Sequence, residues 1–283
     1  MRKWLKFGLT ITAIGLLLAL FLIKDSAHGS AEVRSASGVS KAPIVTRNDA
    51  QLATIPTGDE SSSFDKPLRK VVIKLGPSPD QPQAFGLRVE LTCYYYSSFM
   101  VKELNDTAMQ GAQWFSVTQA SSAHVPKCAE SRGAAEKIIA ADWSGYFKGV
   151  KRNLVFLNGD DGYNGGYPFA IYDALSGKKL FEDSVILENS HISFPVAPSG
   201  NLLLRYLRVV ALDCSLPKDG SACWDKNADR LELKDSLIPR CSGYEKIPGG
   251  DDNSVLAYPV EVALTPQPAI TTLPGSVRCW AAD

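Results

Sequence analysis

The sequence lacks the short motifs that identify most enzymes and cofactor-binding proteins. It contains no Gly-x-Ser-x-Gly elbow, no His-Glu-x-x-His helix and no Gly-x-x-x-x-Gly-Lys-Ser/Thr loop for phosphate. It also contains no Cys-x-x-Cys pair, and histidine occurs only three times in 283 residues. The motifs therefore point to no catalytic residue and to no cofactor.

An excess of charge of either sign is also missing, with 30 basic and 30 acidic residues. Without residues 1–29 the count becomes 26 basic against 29 acidic, a net charge of −3, because four basic residues are removed with Asp25 only. A mildly acidic chain without basic runs is a poor ligand for phosphate backbones and anionic lipid headgroups. Nucleic acid is therefore excluded as a partner.

The strongest positive signal lies at the N-terminus. Arg2, Lys3 and Lys6 precede an apolar run of seventeen residues, 7–23, which is typical of an export segment. As a helix this run would span about 25 Å, slightly less than the roughly 30 Å core of a bilayer. Residues 1–29 are therefore a signal peptide or a membrane anchor. In the second case residues 4–23 are the only part expected to contact the membrane.

The remaining chain divides into a linker and one domain. Residues 30–66 are rich in Ser, Ala, Asp and Thr without apolar periodicity, which predicts a flexible linker. From residue 67 onwards, apolar and polar residues alternate as in half-buried strands. The alternation covers 69–76, 85–96 and 253–265, with shorter candidates at 114–118, 153–157, 169–172 and 192–196.

The fold class expected for residues 67–283 is mainly β: a single antiparallel domain, as a β-sandwich or a partial propeller-like sheet, with short helices. Residues 201–212 are apolar on both faces, which predicts an internal strand. Pro259 lacks a backbone donor, so its strand is predicted at a sheet edge or with a bulge. Helical spacing of apolar residues predicts the helices at 128–141 and 224–231.

Six cysteines, all in the exported part, predict three intramolecular disulfides. Fifteen pairings are possible for six thiols, and proximity along the chain favours one of them. The favoured pairs are Cys93–Cys128, Cys214–Cys223 and Cys241–Cys279.

One hairpin carries a resemblance to a known family. Residues Ala170, Asp173, Ala174, Ser176, Gly177, Lys178, Leu180 and Phe181 match a strand, a Ser-Gly-Lys turn and a second strand with an aromatic residue. With its flanks, about 154–183, this segment resembles one repeat of a quinoprotein-type β-propeller. The resemblance implies a propeller-like hairpin and no enzyme, because the domain could hold only about five blades of 40–45 residues, whereas those dehydrogenases close their rings with seven or eight. A plain β-hairpin explains the same residues.

The loop 158–166, Asn-Gly-Asp-Asp-Gly-Tyr-Asn-Gly-Gly, contains the one candidate metal site. Asp160, Asp161 and Asn164 offer hard oxygen ligands on a glycine-rich bend, as Ca²⁺ requires. The loop lacks the spacing and the terminal glutamate of an EF-hand. A structural hairpin tip with weak Ca²⁺ binding, or none, is the prediction, and no other cofactor is expected.

The function expected from these features is that of an exported binding or structural module without catalytic activity, periplasmic, secreted or anchored to the inner membrane. Clustered aromatic residues suit a glycan or an envelope protein as partner, although strand aromatics are commonly core residues. They are Tyr94, Tyr95, Tyr96, Phe99, Trp143, Tyr146, Phe147, Tyr163 and Tyr167. The alternative is a carbohydrate-active hydrolase that uses a carboxylate pair among Asp142, Glu182 and Asp183.

We expect the export segment to be cleaved after Gly29 or Ala31, because small residues precede both positions. Mass spectrometry of the mature N-terminus checks this expectation, and an intact Met1 in washed membranes would mean a retained anchor. A C-terminal alkaline phosphatase fusion should be active in either case, since residues 32–283 are expected outside the cytoplasm. An inactive fusion would contradict export.

Overall fold

The computed structural model describes residues 64–189, 191–244, 253–264 and 267–282. All of them belong to one compact unit, which covers residues 50–283. The predicted export segment and linker residues 30–63 lie outside the described residues. Within the described ranges, no helix has the length and apolar character needed to cross a bilayer.

The first sheet is a five-stranded antiparallel meander, in which each strand pairs with the next one along the chain. The alternation at 69–76 and 85–96 correctly predicts its first two strands. The strands are β1 (Arg69–Pro77), β2 (Arg88–Tyr95), β3 (Phe99–Asp106), β4 (Ala112–Gln119) and β5 (Lys137–Ile139).

The second sheet has nine strands in the order β11-β14-β12-β10-β9-β8-β7-β6, with β13 beside β12. All pairs are antiparallel except the parallel pair β11–β14. The strands are β6 (Gly145–Lys151), β7 (Leu154–Gly159), β8 (Gly166–Asp173), β9 (Lys179–Ile186), β10 (Leu203–Ala211), β11 (Cys241–Ser242), β12 (Ser254–Ala263), β13 (Ala269–Thr272) and β14 (Arg278–Ala281). The mainly β class predicted from the sequence is therefore confirmed.

The nine-stranded sheet is buried on both faces. Along β7, Val155 and Leu157 face the first sheet, where they share a core with Phe99 and Phe115. Leu154 and Phe156 alternate with them and point to the opposite face. That face is covered by the one described α-helix, α1 (Leu216–Ala228), and by neighbouring loops. The shorter strand candidate at 153–157 is therefore confirmed as part of β7, and burial on both faces explains its continuous apolar residues.

All three predicted disulfides are present, and no described cysteine is free. Cys93 of β2 is bonded to Cys128 in the segment that follows β4, and Cys214 is bonded to Cys223 of α1. Cys241 of β11 and Cys279 of β14 lie directly opposite each other in the parallel pair. Three disulfides are compatible with a location outside the cytoplasm.

The helix predicted at 128–141 is wrong, and the one at 224–231 is correct only in part. Residues 128–136 are irregular and lead into β5. The Cys93–Cys128 bond holds this segment against β2 and β3, so tertiary contacts override the short helical pattern. The second helix begins earlier, at Leu216, and ends at Ala228.

The prediction that Pro259 lies in an edge or bulged strand is also wrong. Its strand, β12, pairs with β10 from Val255 to Ala263 and has β13 and β14 on its other side. β14 pairs with residues up to Ala257, and β13 pairs from Val260 onwards. Pro259 therefore lies in the gap between two partner strands. Because neither β13 nor β14 pairs with Pro259, its missing N–H donor leaves no ladder hydrogen bond unmade on this side of the strand.

Two residues assigned to the linker by the sequence analysis pack against the domain. The Phe64 ring makes edge contacts with Phe156 and Phe194, at 5.2 and 5.1 Å between centroids. The Asp65 N–H donates to the Val150 carbonyl on the outer edge of β6. A Cβ on Gly149 would lie 2.6 Å from Phe64, so this position requires glycine for close approach.

A buried ion pair fixes the segment 120–136 on the first sheet. Lys102 Nζ lies 2.7 Å from Glu136 Oε2, and the two side chains are only 2% and 3% exposed. Lys102 also donates to the Ala129 carbonyl, and Glu136 accepts hydrogen bonds from Ser116 and from the Gly133 N–H. Burial alone would raise the pKa of Glu136, but these hydrogen bonds lower it below its ordinary value of 4.5.

Glu136→Gln should destabilise the fold by about 3–5 kcal/mol, because it leaves the Lys102 charge buried without a counter-charge. For a domain of this size we expect the melting temperature to fall by roughly 6–20 °C at neutral pH. The pKa of Glu136 is lowered in the folded state. The stability that its ionised form adds is therefore fully present above the ordinary pKa of 4.5 and is lost as the pH falls through the folded-state pKa. The difference between wild type and variant should therefore shrink in acid.

Calorimetry from pH 3 to 7 checks this expectation, with the exposed Glu130→Gln as the matched control. The double variant Lys102→Met/Glu136→Leu should be more stable than Glu136→Gln, because it removes both buried charges. Equal melting temperatures for Glu136→Gln and Glu130→Gln would contradict a contribution from the ion pair.

Candidate functional site

Two of the three carboxylates considered for hydrolysis meet at one lysine. Lys179 Nζ lies 2.9 Å from Glu182 Oε2 and 3.4 Å from Asp142 Oδ2. Both carboxylates are more than half exposed. The trio is an exposed ion-pair cluster, in which the cation lies between the two groups that would have to act as acid and base.

The third carboxylate, Asp183, belongs to a buried polar network on the opposite face of β9. It accepts a 2.5 Å hydrogen bond from Tyr206 Oη and lies 2.8 Å from Arg208 Nε. Arg208 also donates to Tyr258 Oη. Burial and the negative charge of Asp183 raise the pKa of Tyr206 well above its usual range, so this hydroxyl stays protonated and donating. The network joins β9, β10 and β12.

The three candidate Ca²⁺ ligands lie at the tip of the β7–β8 hairpin. Asp160 Oδ2 accepts a hydrogen bond from Ser144 Oγ at 2.7 Å, and Asp161 Oδ1 accepts one from the Gly162 N–H. The Asn164 carbonyl accepts a hydrogen bond from the Trp280 indole. Among the described residues, no three His, Cys, Asp or Glu side chains converge on a point that could hold a metal ion.

The turn that carries the propeller-like residues joins β8 to β9. Asp173 Oδ1 accepts a hydrogen bond from the Ser176 N–H, and Ser176 Oγ accepts one from the Lys178 N–H. Gly177 has a φ of +75°, where a side chain would be strained. The local turn is thus explained by its own residues, and the resemblance to a quinoprotein-type repeat stays a prediction.

Most of the aromatic residues considered for ligand stacking are core residues. Tyr95, Tyr96 and Phe99 are buried, and Tyr94 packs on Phe147 with ring centroids 4.3 Å apart. Trp143 and Tyr146 are half-buried and hydrogen-bonded through their polar ends, and Tyr167 is half-buried. Among these aromatic residues, Tyr163 at the tip of the β7–β8 hairpin is the exposed one.

A site that the sequence analysis missed lies between the irregular segment 232–239 and the segment 272–277, which begins at the last residue of β13 and is otherwise irregular. They line a cavity of about 640 Å³, here called the Leu237 groove. Its lining residues are Glu232, Asp235, Ser236, Leu237, Ile238, Pro239, Thr272, Leu273, Pro274, Gly275, Ser276 and Val277.

The two walls of the Leu237 groove are tied together at both ends. At the beginning, Thr272 donates through its N–H to Glu232 Oε2 and through its hydroxyl to the Leu231 carbonyl. At the end, Cys241 and Cys279 follow the two walls by two residues each and form the third disulfide. Leu231 and Leu233 anchor the first wall in the core beside α1. The groove is therefore preformed.

The chemistry of the groove is apolar with an acidic component. Leu237 is 90% exposed and Ile238 is also exposed, which is a large apolar area for a surface loop. The charged residues of its lining are Glu232 and Asp235, both acidic. Such a surface suits a chain that carries apolar and basic side chains together.

Sequence signals for this groove were weak. The adjacent Leu237, Ile238 and Pro239 stand outside any strand or helix pattern, as do Leu273 and Pro274. Periodicity finds regular elements, whereas these walls are irregular and lie more than thirty residues apart in the chain. Only the favoured Cys241–Cys279 pair indicated that the two segments approach each other.

Addition of 1 mM Ca²⁺ should leave the melting temperature nearly unchanged, because among the described residues no group of acidic, His or Cys side chains converges at the hairpin tip. A site with a 10 μM Kd would add about 2.7 kcal/mol under these conditions, which corresponds to roughly 5–10 °C. Differential scanning fluorimetry with Ca²⁺ or chelator measures the shift. A shift that large, if abolished by Asp160→Ala and retained in Asp142→Ala, would establish a metal site at the hairpin tip.

Comparison with known proteins adds no assignment to these sites. No protein-family model matches the chain, and no curated protein or solved structure is significantly similar to it.

Proposed function

We propose that this chain is an exported, non-catalytic binding module of the cell envelope, and that the Leu237 groove holds an extended segment of a partner protein. The observation that carries the proposal is the groove itself, with walls tied by a disulfide at one end and by Thr272 at the other. A preformed groove loses little conformational entropy on binding, which favours affinity.

The lining of the groove favours a protein segment over a glycan. Sugar recognition commonly uses an aromatic platform, and the residues that line the groove include none. Leu237, Ile238 and Leu273 offer aliphatic contacts instead, and Asp235 offers a counter-charge for a basic side chain. An extended segment that alternates apolar and basic residues fits these features.

A binding role is also supported by the contacts of the polar side chains that could act in catalysis, because these side chains are already engaged elsewhere. Asp142 and Glu182 pair with Lys179, and Asp183 is bonded to Tyr206 and Arg208. The six cysteines are oxidised, and His124 and His191 are exposed.

The second candidate function is a carbohydrate-active hydrolase, because Asp142 and Glu182 meet at one position. If this reading is correct, Asp142→Asn or Glu182→Gln abolishes turnover in a panel of glycoside substrates. Turnover that persists in both variants, or absence of turnover by the wild type, would leave the binding role as the better account.

The groove should be the site of contact in the native host. A photo-crosslinking residue at Leu237 should give an adduct with a distinct partner, and Asp235→Lys should reduce that adduct about tenfold, because it replaces the acidic contact with a repulsive one. Quantification of the adduct by gel and mass spectrometry measures the effect.

A photo-crosslinking residue at Leu175, which is exposed on the β8–β9 turn, is the matched control. We expect no adduct at this position. Equal adducts at both positions, or an adduct at Leu237 that is unchanged by Asp235→Lys, would contradict the proposed groove. Melting curves for Asp235→Lys should match wild type, since Asp235 is exposed.

A further inference from the structure

The edge strand β1 is an independent surface, separate from the Leu237 groove. It runs for nine residues at the end of the five-stranded sheet, and within the described part of the chain it pairs only with β2. An edge strand presents backbone donors and acceptors that can pair with a further strand.

The other sheet ends differ from β1 in length or in capping. β5 has three residues, β11 has two and β13 has four, which leaves little template for pairing. β6 has seven residues, but the Val150 carbonyl accepts a hydrogen bond from Asp65, and the Phe147 N–H donates to Glu103. Among the described sheet ends, β1 is the long one with an open template, which is regular from Arg69 to Lys74 and bulges between Lys74 and Gly76.

Two rows of side chains alternate along β1. Val71, Ile73 and Leu75 pack on the small core beneath the segment 120–136, yet each is only partly buried. An added strand with apolar residues on that face would complete their burial. The opposite row consists of Lys70, Val72 and Lys74, all exposed.

The charge of the edge is uniformly positive. β1 contains Arg69, Lys70 and Lys74 and no acidic residue. Glu90 lies opposite Lys74 on β2, but it is already paired with Arg88 at 2.5 Å. Lys70 Nζ lies over the Tyr94 ring, 5.2 Å from its centroid, and its charge acts on the buried Glu103. Both lysines are exposed, so the cationic row has room for carboxylates on an incoming strand.

A second copy of this chain is a poor occupant. Pairing of two β1 strands would place six cationic side chains on one two-stranded ribbon without a carboxylate from either strand. Like charges on neighbouring strands are destabilising, so the lysines of β1 disfavour self-association through this edge. The same charges favour an acidic strand.

We propose that β1 accepts, by β-strand addition, an extended protein segment that alternates acidic and aliphatic residues. Its acidic side chains pair with Lys70 and Lys74, and its aliphatic side chains cover Val71, Ile73 and Leu75. Backbone hydrogen bonds supply affinity, and the two rows of side chains supply selectivity. The segment thereby becomes a sixth strand of the first sheet.

The test uses the full-length chain in a mild detergent and a fluorescent nine-residue peptide of alternating valine and glutamate. Fluorescence anisotropy should show saturable binding, and hydrogen exchange should show protection within residues 69–77. A valine–lysine peptide should not bind. The same acidic peptide with proline at its centre should bind at least about tenfold more weakly, because proline removes a ladder donor.

Lys70→Glu/Lys74→Glu should weaken binding of the acidic peptide about tenfold and allow binding of the valine–lysine peptide. Lys127→Glu/Lys178→Glu, which makes the same change in net charge at exposed positions elsewhere, is the control and should leave binding unchanged. Equal binding of the proline peptide, or binding of anionic lipid vesicles through Lys70 and Lys74 without peptide binding, would overturn strand addition.

Discussion

Burial of both faces of the nine-stranded sheet is the constraint on which the other elements depend. The five-stranded sheet covers one face of β6, β7 and β8 through the core that contains Phe115 and Val155, and α1 with its flanking loops covers the other face of the sheet. Hydrophobic burial of this kind is the main favourable term in folding. Two disulfides restrain parts of the chain outside the central strands: Cys214–Cys223 holds α1 to the segment before it, and Cys241–Cys279 joins the strands that follow the walls of the Leu237 groove.

Polar groups inside the protein act as connectors between its layers. Glu103 of β3 is buried and accepts hydrogen bonds from the Phe147 N–H of β6 and from Tyr94. Burial raises the pKa of Glu103 despite both hydrogen bonds, so its ionisation costs stability as the pH rises through the folded pKa. The pKa of Glu136 is shifted in the opposite direction, downwards, because Lys102 provides a counter-charge. The two carboxylates make the stability of the domain depend on pH in opposite directions.

Sequence reasoning was sufficient where one local rule decides the structure. Alternation predicted β1, β2 and β12, and proximity along the chain predicted all three disulfides. It missed β3 because this strand buries Lys102 and Glu103, which break the apolar pattern. It misplaced Pro259 because the gap between β13 and β14 is a property of the whole sheet. The Leu237 groove was missed since its walls follow no period and meet only in three dimensions.

The packing of Phe64 determines which part of the domain first bears a force applied to the preceding chain. Tension applied through the chain before residue 64 reaches the Phe64 ring, wedged between Phe156 and Phe194, and the Asp65 hydrogen bond to Val150 before it reaches β1. The load is therefore carried first by the packed interior of the larger sheet. Arg69, at the beginning of β1, follows these packed residues in the chain. A strand that is shielded from pulling keeps its register, so the edge available for pairing would stay the same whether the chain is slack or taut.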